Sequence, residues 1–263
     1  MNTARCILSI VLAAALIGGC DDKKNQPVNV NKPSSEPAAA TSGGSGITGK
    51  AGDGVASGKA VFVGVAPKPA AIDVSGNAQC AALHNTPVYD ETIVVGANNE
   101  LKNVVVYVKD GAKLGGAIPA VPVMLDQVGC VYTPHVVSVM VGQEFKVRNS
   151  DGFLHNVHGL CKDNPEFNFP QQQKGQVTKI EANQAVETYK IKCDVHGWMS
   201  TWVVVLDHPY SAVTDENGAF TIKGLGDGKY TLVAWHQKLG TKEAEVEVKG
   251  GKAVVDFKFE GKK

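Results

Sequence analysis

The sequence predicts an all-β protein built from β-sandwiches. Apolar and polar residues alternate in many short runs, which is the period of a strand with one buried face. The clearest runs are Lys59 to Val65, Lys102 to Val108, Val136 to Val141, Val186 to Lys192, Ala219 to Lys223, Tyr230 to Trp235 and Val254 to Phe259. Glycine and asparagine turns separate these runs, and the pairs Asn217-Gly218 and Asp227-Gly228 favour tight hairpins.

Length and charge limit the classes of function. More than 200 residues follow position 46, which is enough for a good core and for two small domains. Lys+Arg and Asp+Glu are equal at 26 each. This balance does not favour nucleic acid as a partner.

The N-terminus has the features of an export signal. Arg5 precedes an apolar run, Ile7 to Ile17, that is too short to span a bilayer and has the size of a signal-peptide core. The run ends in Leu-Ile-Gly-Gly-Cys20. This resembles a bacterial lipobox, which implies that residues 1–19 are a lipoprotein signal peptide and that Cys20 is acylated. The alternative is an ordinary secretory signal with an incidental cysteine.

The next residues predict location and a tether. Asp21 resembles an inner-membrane retention signal, so we expect the periplasmic face of the inner membrane, with the outer membrane as the disfavoured alternative. Residues 20–46 are rich in Pro, Ser, Asn, Ala and Gly. A segment of this composition does not bury enough apolar surface to order itself. As a flexible chain it has a root-mean-square span of roughly 30 Å.

A metal-site pattern lies near the middle of the chain. Cys193, His196 and Met199 follow one another at intervals of three residues, and His155 comes just after the strand-like run Val141 to Asp151. Thiolate, imidazole and thioether together suit one-electron cycling at copper. The pattern predicts a plane of Cys193, His155 and His196 with Met199 as a weak axial ligand.

Each part of this pattern also has a simpler explanation. Cys-x-x-His is common by itself, and a lone histidine on a strand is usually a surface residue or a satisfied core residue. Met199 beside Trp198 also suits the filling of a core. The joint occurrence of the parts, between two strand-like runs, favours copper.

Residues 118–207 resemble the cupredoxins, the family of plastocyanin and amicyanin. The short Cys-x-x-His-x-x-Met loop is most similar to amicyanin. The resemblance implies a Greek-key β-sandwich and one type 1 copper site with ligands His155, Cys193, His196 and Met199. It also implies that Asn156 ties its strand to the cysteine loop. The chain departs from the family beside the loop histidine, where Val and Gly stand in place of the usual proline.

The tail of the chain resembles another family. The segments Ala212 to Leu225 and Gly228 to Ala234 are similar to the carboxypeptidase regulatory-like, or prealbumin-like, β-sandwich. The opening strands typical of that family stand far upstream, at Ile47-Thr-Gly-Lys and Ala60-Val-Phe-Val. We therefore expect a discontinuous domain, residues 47–117 plus 208–263, with the cupredoxin inserted. A simple row of three modules is the alternative. The resemblance carries no catalytic residues and implies a spacer or docking surface.

Cys6 would leave with the signal peptide, Cys20 would carry lipid and Cys193 would bind copper. Three cysteines remain: Cys80, Cys130 and Cys161. An exported protein permits a disulfide, and an odd number leaves one cysteine unpaired. We favour Cys80 with Cys130, because both lie outside the immediate copper loops. Cys161 as the partner of either one stays open. A second metal site at His158 and Cys161 is disfavoured because it has few further ligands.

The remaining histidines do not favour catalysis. They are isolated, without the paired His-x-His arrangement that resembles multicopper oxidases and copper nitrite reductases: His84, His135, His208 and His236. The loop also lacks the second cysteine of a binuclear copper centre. We expect no enzyme activity.

These observations lead to one leading hypothesis and two rivals. The leading one is a membrane-tethered, periplasmic blue-copper electron carrier, with electrons passing through an exposed edge of His196 beside Trp198. The implied partners are redox proteins such as a c-type cytochrome or an envelope oxidoreductase. The first rival is an envelope protein that delivers, buffers or senses copper. The second is an adhesive or polymer-binding module with a structural metal.

Overall fold

The computed structural model describes residues 47–261, and strands dominate it. The all-β prediction is confirmed. The proposed signal peptide, the tether and the lipidation site Cys20 lie outside the described residues. No helix among the described residues has the length and apolar character needed to cross a membrane.

The strands are short and follow one another closely along the chain. In chain order they are β1 (Ala51–Val63), β2 (Ala71–Ile72), β3 (Val88–Tyr89), β4 (Val105–Val108), β5 (Val123–Val128), β6 (Val131–Thr133), β7 (Val136–Met140), β8 (Phe145–Asn149), β9 (His155–Leu160), β10 (Phe167–Gln171), β11 (Val177–Ile180), β12 (Glu187–Lys192), β13 (Ser200–Leu206), β14 (Ser211–Val213), β15 (Ala219–Leu225), β16 (Gly228–His236), β17 (Gly240–Val248), β18 (Lys252–Val254) and β19 (Phe257–Glu260). The helical elements are α1 (Ala78–Ala81) and a 3-10 turn (Gly111–Leu114).

One pair of sheets draws its strands from both ends of the described chain. The first sheet has the order β15-β1-β18, with β19 also pairing with β1. The second has the order β14-β4-β16-β17. Inward-facing side chains such as Leu101, Phe220 and Leu232 form their common core. The division of the chain into domains remains a prediction.

The other pair of sheets uses the middle of the chain. A five-stranded sheet has the order β10-β9-β12-β13-β7, and a four-stranded sheet has the order β11-β8-β5-β6. Apolar residues alternate along these strands, and their inner faces bury Leu125, Phe145, Val157 and Ile191 completely. A small apolar cluster that includes Val105 and Val204 joins the two pairs of sheets.

The run Val254 to Phe259 is not one strand as its alternation predicts. It splits into the end of β18 and the start of β19, with Val255 and Asp256 between them. Gly58 of β1 explains the break, because a Cβ there would lie 1.7 Å from the Val255 carbonyl oxygen. The Lys59 N–H also donates to Asp256 Oδ1 at 2.8 Å. The chain therefore leaves the strand for two residues where it passes close to a glycine, and the register with β1 is the same on both sides.

Both hairpin predictions were wrong about pairing. Asn217-Gly218 and Asp227-Gly228 do lie at turns, but the turns lead from β14 to β15 and from β15 to β16, which belong to different sheets. Asp215 Oδ1 accepts from the N–H groups of Asn217 and Ala219, both at 2.9 Å. Such local bonds shape a turn without fixing which strands pair beyond it.

The strand ends of the second pair of sheets position the candidate site. His155 is the first residue of β9, and Cys193 directly follows β12. The loop from Cys193 to Met199 connects the antiparallel strands β12 and β13, whose last register pair is Lys192 with Ser200. Neighbouring strands β9 and β12 thus present their site residues at one end of the sheet.

Candidate metal centre

Three of the predicted ligands meet at one point. Ligand atoms of His155, Cys193 and His196 all lie within 4.8 Å of one another. The two Nδ1 atoms of the histidines are 3.1 Å apart, and Cys193 Sγ is 3.7 Å from His196 Nδ1. All three residues are at most 2% exposed. Two imidazole nitrogens and one sulfur therefore face a common centre away from solvent.

The loop holding two of these ligands is closed by its own backbone. The Cys193 N–H donates to the Met199 carbonyl at 3.1 Å, and the Met199 N–H donates to the His196 carbonyl at 2.9 Å. Met199 is buried in the same apolar core as Cys193. The axial role of Met199 stays a prediction.

Asn156 connects the histidine strand to this loop. Its backbone N–H donates to Cys193 Sγ at 3.4 Å, and its side-chain Oδ1 accepts from the Asp194 N–H at 3.0 Å. Its amide group also donates to Asn168. An N–H directed at a thiolate stabilises its negative charge, so Asn156 both orients the sulfur and tunes it.

Asp151 orients His155 and was not identified from the sequence. Nε2 of His155 lies 2.8 Å from Asp151 Oδ2. The same carboxylate accepts from the N–H groups of Gly129 at 2.8 Å and Cys130 at 2.9 Å. A carboxylate on the far nitrogen fixes the ring and leaves Nδ1 free for a metal. An acidic residue four positions before a candidate ligand was the available sequence signal.

Asn77 contacts the far nitrogen of His196 and was also missed. Its amide Nδ2 lies 3.0 Å from His196 Nε2, across 119 positions of sequence. His196 is only 1% exposed, so the expected exposed edge of this ring was wrong. The ring does lie beside Trp198, with centroids 5.3 Å apart. No sequence pattern pointed to Asn77, because the contact exists only through the tertiary fold.

A disulfide lies against the same histidine. Cys80 of α1 is bonded to Cys130, and their sulfur atoms lie within 4.8 Å of a ring nitrogen of His196. The bond holds α1, and with it Asn77, over the site. Phe153 covers another side, with its ring centroid 5.3 Å from that of His155.

The electrostatics of the site favour a thiolate at Cys193 and a neutral imidazole at His196. Burial alone would raise the pKa of Cys193, but hydrogen bonds from His155 and the Asn156 N–H outweigh burial and lower that pKa. Burial would lower the pKa of His155, yet its bonds to Asp151 and Cys193 raise it. Burial, followed by the nearby charge of His155, lowers the pKa of His196. Thiolate and neutral imidazole are the forms that bind metals.

The other candidate ligands lie elsewhere. Cys161 is a free, partly buried thiol whose pKa burial raises to about 12. His158 has both ring nitrogens engaged, with Asp194 at 2.9 Å and Glu166 at 3.0 Å. Within residues 47–261, no group of three candidate ligands includes His158 or Cys161. The isolated histidines also make separate contacts, such as His135 with Gln237.

The donor set fits copper. Two imidazole nitrogens, a cysteine sulfur and a neighbouring methionine are the ligands typical of electron-transfer copper sites. Hard cations such as Mg²⁺ and Ca²⁺ prefer oxygen ligands, which this trio does not supply. The residues would hold copper through His155, His196 and Cys193.

Comparison with known proteins gives partial likenesses. Residues 177–255 match the family model described as polysaccharide lyase family 4, domain II, which is less than a third of the chain. No curated protein matches the sequence.

Solved structures give further likenesses over parts of the chain. A copper-containing nitrite reductase from Thermus scotoductus SA-01 is similar at 20% identity and TM-score 0.31, over 56% of this chain and 28% of that one. A purple cupredoxin from Nitrosopumilus maritimus matches at 20% identity and TM-score 0.28, over 32% of this chain and 99% of its own. A Cu(I) amicyanin mutant matches at 23% identity and TM-score 0.29, over 32% of this chain and 82% of its own. The functional proposal therefore rests on the geometry of the three ligand residues.

Proposed function

We propose that this protein is a copper-binding electron-transfer protein with a single type 1 site at His155, Cys193, His196 and Met199. One observation carries the proposal. The two Nδ1 atoms and the cysteine sulfur converge in a buried space, with the two nitrogens 3.1 Å apart. Bound copper would supply one-electron redox chemistry at this point.

The surrounding residues suit electron transfer because they limit rearrangement. Asp151 fixes one imidazole ring, and Asn156 directs its N–H at the sulfur. The loop hydrogen bonds between Cys193 and Met199 hold the remaining ligands in place. A site whose ligands are already oriented changes little between two oxidation states, which favours fast electron exchange.

Burial favours a carrier over a copper donor. A protein that delivers or buffers copper must release the ion to an acceptor, which needs access to the ligands. Here His155 is 0% exposed and His196 is 1% exposed. We therefore expect slow loss of copper to a competing chelator, and rapid loss would favour the delivery role. The same enclosure leaves little room for a substrate, so we propose no enzymatic activity.

We further propose that the carrier works at a membrane surface. Cys20 would carry the lipid, and residues 20–46 would form a flexible tether to the periplasmic face of the inner membrane. A c-type cytochrome or an envelope oxidoreductase would be the redox partner. The sequence patterns of the N-terminus support this part of the proposal.

Visible absorption during Cu(II) titration tests the site. The wild type should bind one equivalent and develop an intense charge-transfer band, because the copper–thiolate bond is its source. Cys193→Ser should abolish the band while far-UV circular dichroism remains that of the wild type, and His155→Ala should also lose the band. Cys161→Ser is the matched control, because it removes the other free thiol within residues 47–261 and should change nothing. Retention of the band in Cys193→Ser would contradict the proposal.

A further inference from the structure

The orientation of the Asn77 side chain is fixed by the start of α1. Its Oδ1 accepts from the N–H of Gln79 at 3.0 Å and from the N–H of Cys80 at 3.1 Å. An amide oxygen, and not an amide NH₂, satisfies these donors. The NH₂ group must therefore be the part that faces His196 Nε2 at 3.0 Å.

This orientation determines where His196 carries its proton. The Asn77 NH₂ only donates, so Nε2 of a neutral His196 must accept and the proton must be on Nδ1. That proton faces His155 Nδ1 at 3.1 Å. Neutral His155 donates its Nε2–H to Asp151 at 2.8 Å, so in that form its own Nδ1 is free to accept. Each hydrogen bond that links these four side chains, from Asn77 through His196 and His155 to Asp151, then joins one donor to one acceptor.

Metal binding requires the opposite tautomer of His196. A metal at Nδ1 needs the lone pair of that atom, and a neutral imidazole then carries its proton on Nε2. The Nε2–H of the buried His196 would point at the NH₂ of the partly buried Asn77, so two donors would face each other. A buried donor without an acceptor is costly. The tautomer with a free Nδ1 and the present position of Asn77 are thus incompatible.

The conflict has a simple resolution. If the Asn77 amide turns over, Oδ1 accepts from His196 Nε2–H, but it then leaves the N–H groups of Gln79 and Cys80 without their cap. We infer that metal at His196 and the N-terminus of α1 compete for the Asn77 oxygen. Asn77 thus couples metal binding to the helix cap: when metal binds, the segment that covers His196 loosens. We call this coupling the latch. This inference rests on the proposed copper site and adds a conformational response to it.

Other contacts confine the change to the N-terminal residues of α1. The Cys80–Cys130 disulfide keeps the helix attached beside the site. His84, just beyond α1, hydrogen-bonds through Nε2 to the Gly129 carbonyl at 2.7 Å. Loading should therefore loosen residues 77–80 without releasing the segment. Because coupling is reciprocal, a partner that binds the loosened turn would tighten metal binding.

NMR on the full chain with Cu(I) tests the latch, since Cu(I) is diamagnetic. Nitrogen-15 shifts of His196 should show the proton on Nδ1 in the metal-free protein and on Nε2 after loading. Amide hydrogen exchange at Gln79 and Cys80 should become roughly 2- to 30-fold faster on loading, the range that corresponds to loss of a helix N-cap.

Two substitutions separate the latch from a passive cap. Asn77→Asp provides two acceptor oxygens, one for the helix and one for the Nε2–H of His196. Amide exchange at Gln79 and Cys80 in this variant should therefore not respond to Cu(I). The variant should also bind Cu(I) about tenfold tighter than the wild type. Asn77→Ser keeps a cap but lacks the amide donor, and it should also abolish the response. Asn217→Asp adds the same charge at an exposed turn and should behave as the wild type.

The outcomes distinguish the latch from the site itself. Wild-type protein that binds Cu(I) with no change in exchange or in the His196 tautomer would overturn the latch and leave the copper site intact. A full response in Asn77→Asp or Asn77→Ser would also overturn it. Absence of Cu(I) binding by the wild type would overturn both proposals.

Discussion

Asp151 and His155 form a buried pair in which Nε2 of the imidazole lies 2.8 Å from Oδ2 of the carboxylate. The same carboxylate accepts from the N–H groups of Gly129 and Cys130, so it is itself held in place. The imidazole is therefore oriented by a residue that cannot easily move. Its other nitrogen, Nδ1, faces the cysteine and the second histidine.

The first prediction concerns this orientation. Asp151→Ala should weaken copper binding by roughly 10- to 100-fold, the usual effect of losing the partner of a ligating histidine. Competition with a chelator of known affinity measures it. The protein should still become coloured at high copper, because the thiolate is unchanged. Asp53→Ala, at an exposed position in the other pair of sheets, is the control. Equal affinities for Asp151→Ala and wild type would show that the pair does not position the ring.

A second prediction concerns Met199. Met199→Leu removes the sulfur and nearly conserves volume, so the core should tolerate it. The variant should bind copper and remain coloured, with a raised reduction potential, because the oxidised ion loses a donor. Voltammetry on both proteins provides the comparison. An unchanged potential would mean that Met199 only packs, and loss of all copper would mean that its role is not axial.

A third prediction uses pH. Burial would raise the pKa of Glu187, but the Asn164 side chain and the N–H groups of residues 162–164 hydrogen-bond to the carboxylate and lower it. A carboxyl group whose folded pKa lies below its unfolded value of about 4.5 stabilises the protein above that pH. This contribution disappears as pH falls through the folded pKa. Glu187→Gln should therefore lower the free energy of unfolding at pH 7 and have little effect near pH 2.

Urea unfolding at the two pH values measures this difference. Glu216→Gln, at an exposed turn position, is the control and should change stability little at either pH. A penalty for Glu187→Gln that stays constant with pH would show that the charge of the carboxylate is not what stabilises the loop.

A fourth prediction concerns the N-terminus. Cys20→Ser should release the protein from the membrane fraction or block its processing, because acyl chains would be the anchor. Fractionation together with mass spectrometry of the mature N-terminus checks both outcomes. A correctly processed Cys20→Ser protein that stays in the membrane would contradict lipid anchoring.

The fold class followed from the sequence because strand alternation is a local property. Details that depend on distant residues did not. The run Val254 to Phe259 alternates like one strand, but the close approach of Val255 to Gly58 on β1 divides it. The turn at Asn217-Gly218 was visible, whereas the sheets that it joins depend on the whole core.

The site residues also divide into those that the local sequence could identify and those that depend on the tertiary fold. Cys193 and His196 belong to one loop, and His155 follows a recognisable strand, so the sequence could nominate them together. Asp151 carried a weak local signal at four residues from His155. Asn77 carried none, since the fold alone brings it to His196 from 119 positions away. The burial of His196 was missed for the same reason.

X-ray absorption at the copper edge tests the central claim most directly, because it counts the atoms bound to the ion. The copper-loaded wild type should show one short sulfur ligand and two imidazole nitrogens, and Cys193→Ser should lose the short sulfur ligand. A wild-type spectrum with only nitrogen and oxygen ligands, or one unchanged in Cys193→Ser, would contradict copper binding by His155, Cys193 and His196.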